Sequence, residues 1–389
     1  KTTDQTSLTS LLRSEKRIPA PYLGLVPKNF EENLNFREEM IRLGARSKAD
    51  AHKLWMMCKR DCLFYLNTFC YIFSPMEKDE KVQPFITYDF QDKMIAELHD
   101  ACDDHSLHID KTRCMGGTWI ICAYLEWRWH FYDFYSFLLV SRKEEYVDKR
   151  EDPKGLFWKV DFLHKYQPKW LLPANRWLMW GDPNRTKNHL LNPDTQSCFD
   201  GESTNQEVGR GDRRSVIFLD EFAAVEEDVK VMAATSASTN SRWLLSTPKG
   251  NNNCFASYRH TFRHFSLHWS IHPIYGKDLT YDRRGRPTSP WYRRKVKEAG
   301  HKLEISQELD IDYEGSASQF WDASVLDRYE SDVGRQPWNV GEFTYDFDEA
   351  TPRGFEYRDS GMCRLWMNLD VNGKVPTNIN VTVGSDIAM

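Results

Sequence analysis

The chain has 389 residues, a formal net charge of −5 at pH 7, and 40% hydrophobic and 14% aromatic residues, a composition typical of a soluble globular protein. Its length is enough for two or three domains, or for one large α/β domain with a satellite, and no run of about 18 apolar residues occurs, so no membrane span is expected. The acidic total excludes a uniformly basic nucleic-acid binder, and nine scattered cysteines without metal-type clustering fit a reducing cytosol.

The N-terminal part is predicted to be an irregular arm followed by helices. Residues 1–35 are polar and carry three prolines. The chain starts without Met and without a signal-like segment, so we expect that its first residues are missing or cleaved. Residues 36–75 show the apolar periodicity of helices. Ser47 followed by Asp50 is a capping-box pattern, which predicts a helix N-terminus at that point.

Strand-like and helix-like segments alternate over residues 85–250. The predicted elements, in chain order, are a helix at 91–101, a strand at 107–113, a helix at 118–131, and strands at 134–142, 176–182, 214–223 and 241–247. The strand at 134–142 is largely apolar, as a buried parallel strand should be. Such alternation predicts a doubly wound, mostly parallel α/β sheet that binds its ligand at the carboxyl ends of the strands.

The sequence changes character after residue 250. The elements predicted there are a strand at 264–273, a basic helical segment at 289–311, a helix followed by loose chain at 325–338, a hairpin at Asn372-Gly373 and a strand at 378–389. Residues 241–302 contain thirteen Lys and Arg against three Asp and Glu, whereas residues 303–389 contain seventeen acidic and six basic residues. This separation of charge allows one face to bind a polyanion although the total charge is negative.

The segment "VIFLDE", residues 216–221, carries the most specific signal. Four apolar residues run into Asp220 and Glu221, which places both carboxylates at the carboxyl end of a buried strand. In nucleotide hydrolases, an aspartate at that position holds Mg²⁺ and the following glutamate polarises the attacking water. The alternative is a strand that ends in a solvated acidic turn.

The segment "IDKTRCMGGTW", residues 109–119, is nearly a phosphate-binding loop. The usual pattern is G-x-x-x-x-G-K-S/T, and here Gly116-Gly117-Thr118 stands in place of Gly-Lys-Thr. The lysine is either lost or has moved forward to the loop entry at Lys111. Backbone amides and a helix N-terminus attract anions even without a lysine. The alternative is a Gly-Gly turn with a solvated lysine, which the acidic strand later in the chain makes less favoured.

Two weaker motifs flank this pair. Ser246, Thr247 and Pro248 end the strand after the acidic one, where hydroxyl groups would lie beside a γ-phosphate and couple its loss to the following segment. Gln91 precedes the loop, and its amide has the one donor and one acceptor that an adenine edge requires. Considered alone, a glutamine at such a position is more often an ordinary surface residue.

The order of these four motifs over residues 91–248 resembles that of the large terminase subunit of tailed bacteriophages, the motor that packages DNA into proheads. Phosphate loops of that family carry the lysine at the loop start, as in "KTRCMGGT", its acidic strand reads like "VIFLDEFA", and its coupling motif reads like "STPKG". The resemblance implies a P-loop NTPase fold of the ASCE type, with a doubly wound, mostly parallel sheet, a smaller lid or linker subdomain, and the start of a ribonuclease-H-like nuclease domain.

The resemblance implies a role for each motif, with ATP and Mg²⁺ as the cofactors. Gln91 would lie at the adenine, Thr118 and Asp220 would hold Mg²⁺, and Glu221 would be the catalytic carboxylate. Ser246, Thr247 and Pro248 would couple hydrolysis to movement. The residues implied to contact nucleotide along the loop are Lys111, Thr112, Arg113, Cys114, Met115, Gly116, Gly117, Thr118 and Trp119. Whether Lys111 or Arg113 carries the main phosphate contact stays open, and Arg113 is counted among the catalytic residues.

The resemblance of two further segments to the family implies roles for Arg210 and Asp386. The stretch "GRGDRRSVIFLDE" makes Arg210 a candidate arginine finger that reaches the nucleotide of a neighbouring subunit, with a solvated loop residue as the alternative. The stretch "VTVGSDIAM" resembles the first nuclease strand and makes Asp386 a candidate metal ligand. A single carboxylate cannot build a two-metal site. We therefore expect the chain to contain the motor and its lid and only the first strand of the nuclease domain.

The expected domain organisation has four segments. They are an N-terminal arm and helix at 1–60, an ATPase core at 61–260, a lid or linker subdomain at 261–375, and the first strand of a truncated nuclease domain at 376–389.

The implied function is ATP-driven translocation of double-stranded viral DNA into a prohead, with cleavage by a nuclease domain that is mostly absent here. The implied partners are double-stranded DNA, the portal protein, the small terminase subunit and further copies of the chain in a ring, expected to be a pentamer, with no membrane. The protein would act in the host cell cytoplasm, transiently at the portal, and would be absent from the mature virion.

The basic segment would grip DNA through phosphate contacts without sequence preference. The predicted DNA-binding residues are Arg283, Arg284, Arg293, Arg294 and Lys297. The alternatives are a solvated basic helix and a helix that pairs with the acidic region 303–389.

Two other functions compete with the motor. A superfamily 2 helicase shares the glutamine, Asp-Glu and Ser-Thr elements, but it needs a second nucleotide-fold domain with an arginine-rich motif, and the sequence after Gly250 offers none. A degenerate NTPase scaffold without turnover would explain the lysine missing from its usual place, and measurement of ATP turnover separates it from the motor.

Overall fold

The computed structural model describes residues 19–204, 208–209, 212–283, 285–316, 339–346, 351–359, 363–365 and 369. The chain divides into two compact units, residues 1–318 and 319–389. The four predicted domain segments stay predictions. Predictions that lie outside the described residues are Arg210, Arg284, Asp386, the helix at 325–338, the hairpin at 372–373 and the strand at 378–389.

Three consecutive helices precede the main sheet. They are α1 (Phe30–Arg46), α2 (Lys48–Arg60) and α3 (Cys62–Phe69), followed by a small antiparallel pair, β1 (Tyr71–Phe73) and β2 (Val82–Pro84). Ser47 caps α2, because its hydroxyl accepts a hydrogen bond from the Asp50 N–H at 3.0 Å. The predicted N-cap is therefore confirmed, and the short polar breaks at Ser47 and Asp61 explain why the predicted helical stretch is three helices.

An eight-stranded sheet forms the centre of the first unit. Its strands, in chain order, are β3 (Leu107–Lys111), β4 (Ser136–Ser141), β5 (Arg185–Thr186), β6 (His189–Leu191), β7 (Cys198–Ser203), β8 (Val216–Asp220), β9 (Arg242–Ser246) and β10 (Arg263–Leu267). The spatial order is β10-β3-β9-β8-β4-β7-β6-β5. The first six of these strands are mutually parallel, and β6 and β5 extend the sheet antiparallel.

Helices cover both faces of this sheet. The remaining helices of the first unit are α4 (Asp89–Ala101), α5 (Gly117–Phe131), α6 (Glu144–Val147), α7 (Leu156–Lys165), α8 (Asp228–Thr235), α9 (Cys254–Tyr258), α10 (Pro290–Glu298) and α11 (Lys302–Glu308). Alternate strand residues enter separate apolar clusters, since Phe218 packs with one cluster and its neighbours Ile217 and Leu219 pack with the other. A strand buried on both faces is expected in a doubly wound sheet. The predicted α/β fold class is confirmed.

One strand separates the two strands that carry the chemistry. β9 lies between β3, which leads into the glycine loop, and β8, which ends at Asp220. Because all three strands are parallel, their carboxyl ends meet at one edge of the sheet, which is where doubly wound proteins bind ligands.

Some elements differ from the sequence-based expectation. The strand predicted at 176–182 is wrong, because the structure has no strand there and Gly181 takes a φ of 99°. The predicted basic helix at 289–311 is broken after Glu298, and His301 caps the start of α11. β7 was not predicted, since its sequence "CFDGES" is polar and includes Gly201, which lies where a side chain would meet Val147 and Phe157.

Small sheets complete the described residues. In the first unit, β11 (Thr280–Tyr281) pairs antiparallel with β12 (Pro287–Thr288). The second unit contains a three-stranded antiparallel sheet of β13 (Asn339–Asp346), β14 (Thr351–Tyr357) and β15 (Cys363–Leu365), in the order β14-β13-β15. Within the described part of the chain, no helix has the length and apolar character needed to cross a membrane.

Candidate functional site

A polar cleft of about 550 Å³ lies at the carboxyl ends of the parallel strands. Its lining residues are Lys111, Arg113, Thr118, Ser141, Arg142, Tyr146, Lys154, Lys159, Asp220, Glu221, Ala223, Ala224, Ser246, Thr247, Lys249, Gln307 and Glu308. Six of these residues are basic and three are acidic, which gives the cleft a net positive charge. The cleft brings together residues from three of the predicted motifs, and its charge suits a polyanionic ligand.

The glycine loop joins β3 to α5 with a backbone that favours glycine. Gly116 takes a φ of 76° at the N-cap of α5. A Cβ on Gly117 would lie 3.2 Å from side-chain atoms of Leu245 and Leu267, so the glycine lets α5 start close against β9 and β10. The first-turn N–H groups of a helix have no carbonyl partner within the helix. Together with the helix dipole they make this end of α5 attractive to phosphate.

Lys111 places its amine beside the predicted catalytic carboxylate. Its Nζ donates to Glu221 Oε1 at 3.0 Å across 110 residues of sequence, and its side chain is 12% exposed. Burial opposes the charge on this amine, but the attraction of Glu221 and Asp220 outweighs burial and raises the pKa of Lys111 above its ordinary value. The displaced lysine is therefore charged and lies inside the cleft.

Thr118 and Asp220 form a second oxygen pair in the cleft. The Thr118 hydroxyl donates to Asp220 Oδ1 at 3.2 Å. Burial is the main cause that raises the pKa of Asp220 to about 6, and the charge of Lys111 opposes this rise. Carboxylate and hydroxyl oxygens are the hard ligands that Mg²⁺ prefers, and Mg²⁺ usually takes only one or two protein ligands besides phosphates and water. The two residues predicted to hold Mg²⁺ fit that ion.

Glu221 has an uncommon backbone conformation. Its φ of 53° and ψ of 39° lie in the left-handed region, and its side chain is 44% exposed. Residues other than glycine pay an energetic cost in this region and are found there mainly at turns and functional sites. The conformation ends β8 abruptly and turns the Glu221 side chain to the cleft rather than to the opposite face of the sheet.

Arg113 lies at the rim and not beside Lys111. Its Nη1 donates to Glu308 Oε2 at 3.4 Å, and its side chain is 72% exposed. The two candidate phosphate cations therefore occupy different environments. Lys111 faces the acidic strand, and Arg113 faces α11.

The other predicted loop residues contribute mainly backbone. Met115 is buried in the apolar core, and the Trp119 ring packs on Phe162 at 5.8 Å between ring centroids. Cys114 is exposed and takes a φ of 65°. The Thr112 hydroxyl donates to the Leu309 carbonyl at 2.7 Å. Any contact of Met115 or Trp119 with a ligand in the cleft would be made by the main chain.

Gln91 lies against the glycine loop but already uses its carbonyl. Its Oε1 accepts from the Tyr88 N–H at 3.0 Å, which caps α4. Its Nε2 is 3.1 Å from the place that a Cβ on Gly116 would occupy. The side chain is buried against the loop and outside the cleft lining, and its contact with adenine stays a prediction.

Ser246 and Thr247 line the cleft at the end of β9, between the loop strand and the acidic strand. Both are largely buried. Pro248 directly follows them outside the cleft lining. The predicted coupling hydroxyls therefore border the same space as Lys111 and Asp220.

Four cleft cations, Arg142, Lys154, Lys159 and Lys249, were not among the predicted site residues. Arg142 directly follows the buried strand β4, and its guanidinium lies 5.3 Å from the Tyr146 ring centroid. Lys159 is buried on α7, its Nζ donates to the carbonyls of Pro153, Lys154 and Gly155, and burial lowers its pKa. The position of Arg142 after a strand is a usable signal, but that of Lys159 depends on how α7 packs on α5.

The described residues of the predicted DNA-binding set lie away from the cleft. Arg293, Arg294 and Lys297 are on α10, which has no buried residue. Arg283 lies between β11 and β12. These residues are placed on an exposed surface, as contacts with a duplex require.

A second polar cluster lies on the sheet just before Lys111. The potential metal-ligating atoms of His108, Asp110 and His264 are within 4.8 Å of one another. Asp110 Oδ2, however, already accepts from His264 Nε2 at 2.8 Å and lies 3.4 Å from Arg259 Nε. The Tyr313 hydroxyl also donates to Asp110 Oδ2 at 3.3 Å. The arginine supplies the positive charge, so we interpret the cluster as an ion network and not as a metal site.

Comparisons with known proteins identify solved structures only. No family model matches the chain, and no curated protein matches it. The large terminase ATPase domain of Thermus phage P74-26 is 14% identical and aligns over 58% of this chain and 94% of that chain, with a TM-score of 0.39. The large terminase of bacteriophage HK97 is 15% identical over 73% of this chain and 60% of that chain, with a TM-score of 0.43.

The large terminase of a thermophilic bacteriophage, in complex with ADP, is 13% identical and aligns over 58% of this chain and 53% of that chain, with a TM-score of 0.39. The alignment thus spans little more than half of that terminase. At these TM-scores the similarities carry no argument about activity, which rests on the cleft.

Proposed function

We propose that the chain is an ATPase and that it acts as the motor domain of a DNA-packaging large terminase. The observation that carries the ATPase proposal is the contact between Lys111 and Glu221. The two are 110 residues apart in sequence, and their side chains meet at 3.0 Å in a positively charged cleft beside the N-terminus of α5. A lysine that neutralises phosphate charge and a side chain that orients the attacking water are two of the groups that ATP hydrolysis uses.

Four residues of the cleft have defined tasks in this proposed reaction. The phosphates lie at the N-terminus of α5, where backbone N–H groups and Lys111 neutralise their charge. The Glu221 carboxylate orients the attacking water and accepts its proton. Thr118 and Asp220 would hold Mg²⁺, which supplies additional neutralisation of charge on the phosphate oxygens.

The ion pair between Lys111 and Glu221 must change when ATP binds. Lys111 Nζ donates to Glu221 Oε1 at 3.0 Å, so each side chain is the hydrogen-bond partner of the other. A γ-phosphate at the loop competes with Glu221 for the Lys111 amine, since both are anions. As the amine moves to the phosphate, the carboxylate becomes free to take the water. The Glu221 carboxylate is therefore available to the attacking water only when a phosphate group takes its place beside Lys111.

The motor proposal rests on the order of the sequence motifs and on the basic surface. Ser246 and Thr247 border the cleft and lead into the segment that carries α10 with its exposed Arg293, Arg294 and Lys297. We propose double-stranded DNA as the ligand of this surface. The portal protein, the small terminase subunit, a ring of five copies and action in the host cytoplasm belong to the same proposal, as do Arg210 in trans and Asp386 in a nuclease domain.

Two alternatives are less well supported by the described residues. A scaffold without turnover was suggested by the absence of lysine at its usual place, but Lys111 brings an amine into the cleft by another route. A superfamily 2 helicase needs a second parallel sheet. The described residues after 270 form only helices, a two-stranded pair and a three-stranded antiparallel sheet.

The test is Mg²⁺-dependent hydrolysis of ATP by the purified chain. We expect ATP to be bound and hydrolysed with Mg²⁺, hydrolysis to stop when EDTA removes the ion, and Asp220→Asn to abolish turnover. The matched control is Asp212→Asn, because Asp212 is exposed and outside the cleft. Binding without hydrolysis by the wild-type chain would support the scaffold, and the absence of both would overturn the proposal.

A further inference from the structure

The glycine loop is hydrogen-bonded to the end of β10 and to the end of α11. The Thr112 N–H donates to the Leu267 carbonyl and the Arg113 N–H donates to the Glu308 carbonyl, both at 2.9 Å. The Thr112 hydroxyl donates to the Leu309 carbonyl at 2.7 Å. The loop is therefore held between the end of β10 and the end of α11, which both lie far from the loop in sequence.

Glu308 contacts Arg113 through both its main chain and its side chain. In addition to the backbone bond, Glu308 Oε2 accepts from Arg113 Nη1 at 3.4 Å. The Glu308 side chain is 21% exposed and lines the cleft, whereas the Arg113 side chain is 72% exposed. The carboxylate is the less exposed partner of this pair, so we take Glu308 to set the position of the arginine and not the reverse.

The geometry leaves Arg113 with donors to spare. A guanidinium carries five N–H donors in a rigid fork, and the bond to Glu308 uses one of them. An arginine held from one edge presents its other edge in a fixed direction, which is how such side chains position phosphate groups. Without Glu308, an arginine this exposed would spread over many rotamers.

The basic helix α10 is joined to the same loop through aromatic contacts. The Trp291 ring stacks on the Tyr275 ring with centroids 4.2 Å apart, and the Tyr275 hydroxyl donates to the Cys114 carbonyl at 3.5 Å. The Tyr292 hydroxyl donates to Asp310 Oδ2 at 3.1 Å, two residues after Glu308. A displacement of the Arg113–Glu308 pair can therefore be transmitted to α10 in two ways. One runs through Tyr275 and Trp291, and the other runs through Asp310 and Tyr292.

We infer that Glu308 is a positioning residue of the nucleotide site, which holds Arg113 for the phosphate groups and thereby makes α10 respond to the presence of nucleotide. This inference rests on the proposed ATPase function. It assigns to α11 a role that no motif in the sequence indicates, because "ISQELD" reads as an ordinary amphipathic end of a helix.

The first test is a double-mutant cycle on ATP hydrolysis. We expect Glu308→Gln to lower kcat/KM for ATP by about tenfold, a loss within the range of coupling between contacting residues. In an Arg113→Ala background the same substitution should change kcat/KM less than about twofold. The control is Glu298→Gln, which removes an exposed carboxylate paired with Lys295 on α10. Equal losses in both backgrounds would show that Glu308 does not act through Arg113.

The second test measures hydrogen exchange in residues 290–298 with and without a saturating, non-hydrolysable ATP analogue. The wild-type chain should show a change in exchange upon binding, and Glu308→Gln should bind the analogue without that change. If Glu308→Gln fails to fold, Arg113→Gln tests the same pair from its exposed side. An equal response in wild type and variant would overturn the inference alone, whereas failure of the wild-type chain to bind the analogue would overturn the ATPase proposal.

Discussion

At the scale of single residues, the central feature is a lysine that enters the proposed phosphate site from the strand and not from the helix. Lys111 is the last residue of β3, its side chain is 12% exposed, and its amine is hydrogen-bonded to Glu221. Arg113, two residues later, lies at the rim with Glu308. The sequence left open which cation carries the phosphate charge. In the structure, Lys111 and Arg113 lie in different environments. We therefore expect substitutions at the two positions to affect ATP hydrolysis differently.

We predict that Lys111→Ala lowers the turnover of ATP by at least about tenfold, which is roughly 1.4 kcal/mol of transition-state stabilisation. The reason is that this amine lies where charge develops, next to Glu221. Arg113→Ala should act more on KM than on kcat, since the arginine orients phosphate from the rim. Steady-state kinetics of both variants measure this, with Lys93→Ala on the exposed face of α4 as control.

The opposite pattern would refute this assignment. If Lys111→Ala hydrolyses ATP normally and Arg113→Ala does not, the arginine alone supplies the phosphate charge.

Sequence reasoning found Asp220 and Glu221 because a run of four apolar residues before two carboxylates defines both a strand and its end. It could not find the left-handed backbone of Glu221, since that conformation depends on the turn into the next helix. It also missed Lys159, whose amine donates to the carbonyls of Pro153, Lys154 and Gly155 just before α7, because the burial of this side chain beside the cleft depends on how α7 packs.

At the scale of elements, prediction succeeded where strands are buried on both faces. β4, β8 and β9 are short apolar runs, and their environment in a parallel sheet leaves little else for such runs to form. Prediction failed at the parallel strand β7, whose sequence is largely polar, and at the antiparallel strands β6 and β5 beyond it. It also joined α10 and α11 into one helix, although Gly300 and the His301 cap separate them.

We predict that α10 contributes phosphate contacts to DNA binding. Charge neutralisation at Arg293, Arg294 and Lys297 should weaken DNA binding at low salt and flatten its salt dependence by up to about 0.9 for each phosphate contact that the substitutions remove. Basal ATP hydrolysis should persist, because these side chains lie outside the cleft lining. The measurement is the slope of log affinity against log salt concentration for duplex DNA.

A matched control neutralises three exposed cations of α1 and α2. These are Arg46, Lys48 and Lys53. An unchanged salt slope for the α10 variant, with intact folding, would assign this helix to contacts between subunits and not to DNA.

At the scale of the whole molecule, the proposed ring predicts sites shared between copies. If Arg210 acts on the nucleotide of a neighbour, a mixture of Arg210→Ala chains with Glu221→Gln chains should recover some hydrolysis, because some interfaces regain one intact site. A mixture of Lys111→Ala with Glu221→Gln is the control and should recover none, since Lys111 and Glu221 contact each other within one chain.

The mixing experiment requires confirmed mixed oligomers. Lack of recovery in them would give Arg210 a role within its own chain or none.

The most direct test of the ATPase assignment is single-turnover hydrolysis of ATP by Glu221→Gln. The glutamine keeps the size of the side chain and removes the charge that takes the proton from water. We predict binding of ATP within about threefold of the wild-type chain and hydrolysis slowed by at least about 10²-fold, as expected for loss of a general base. Glu226→Gln, an exposed neighbour outside the cleft, should match the wild-type chain in both. Hydrolysis by Glu221→Gln at the wild-type rate would contradict the assignment of this cleft as the site of ATP hydrolysis.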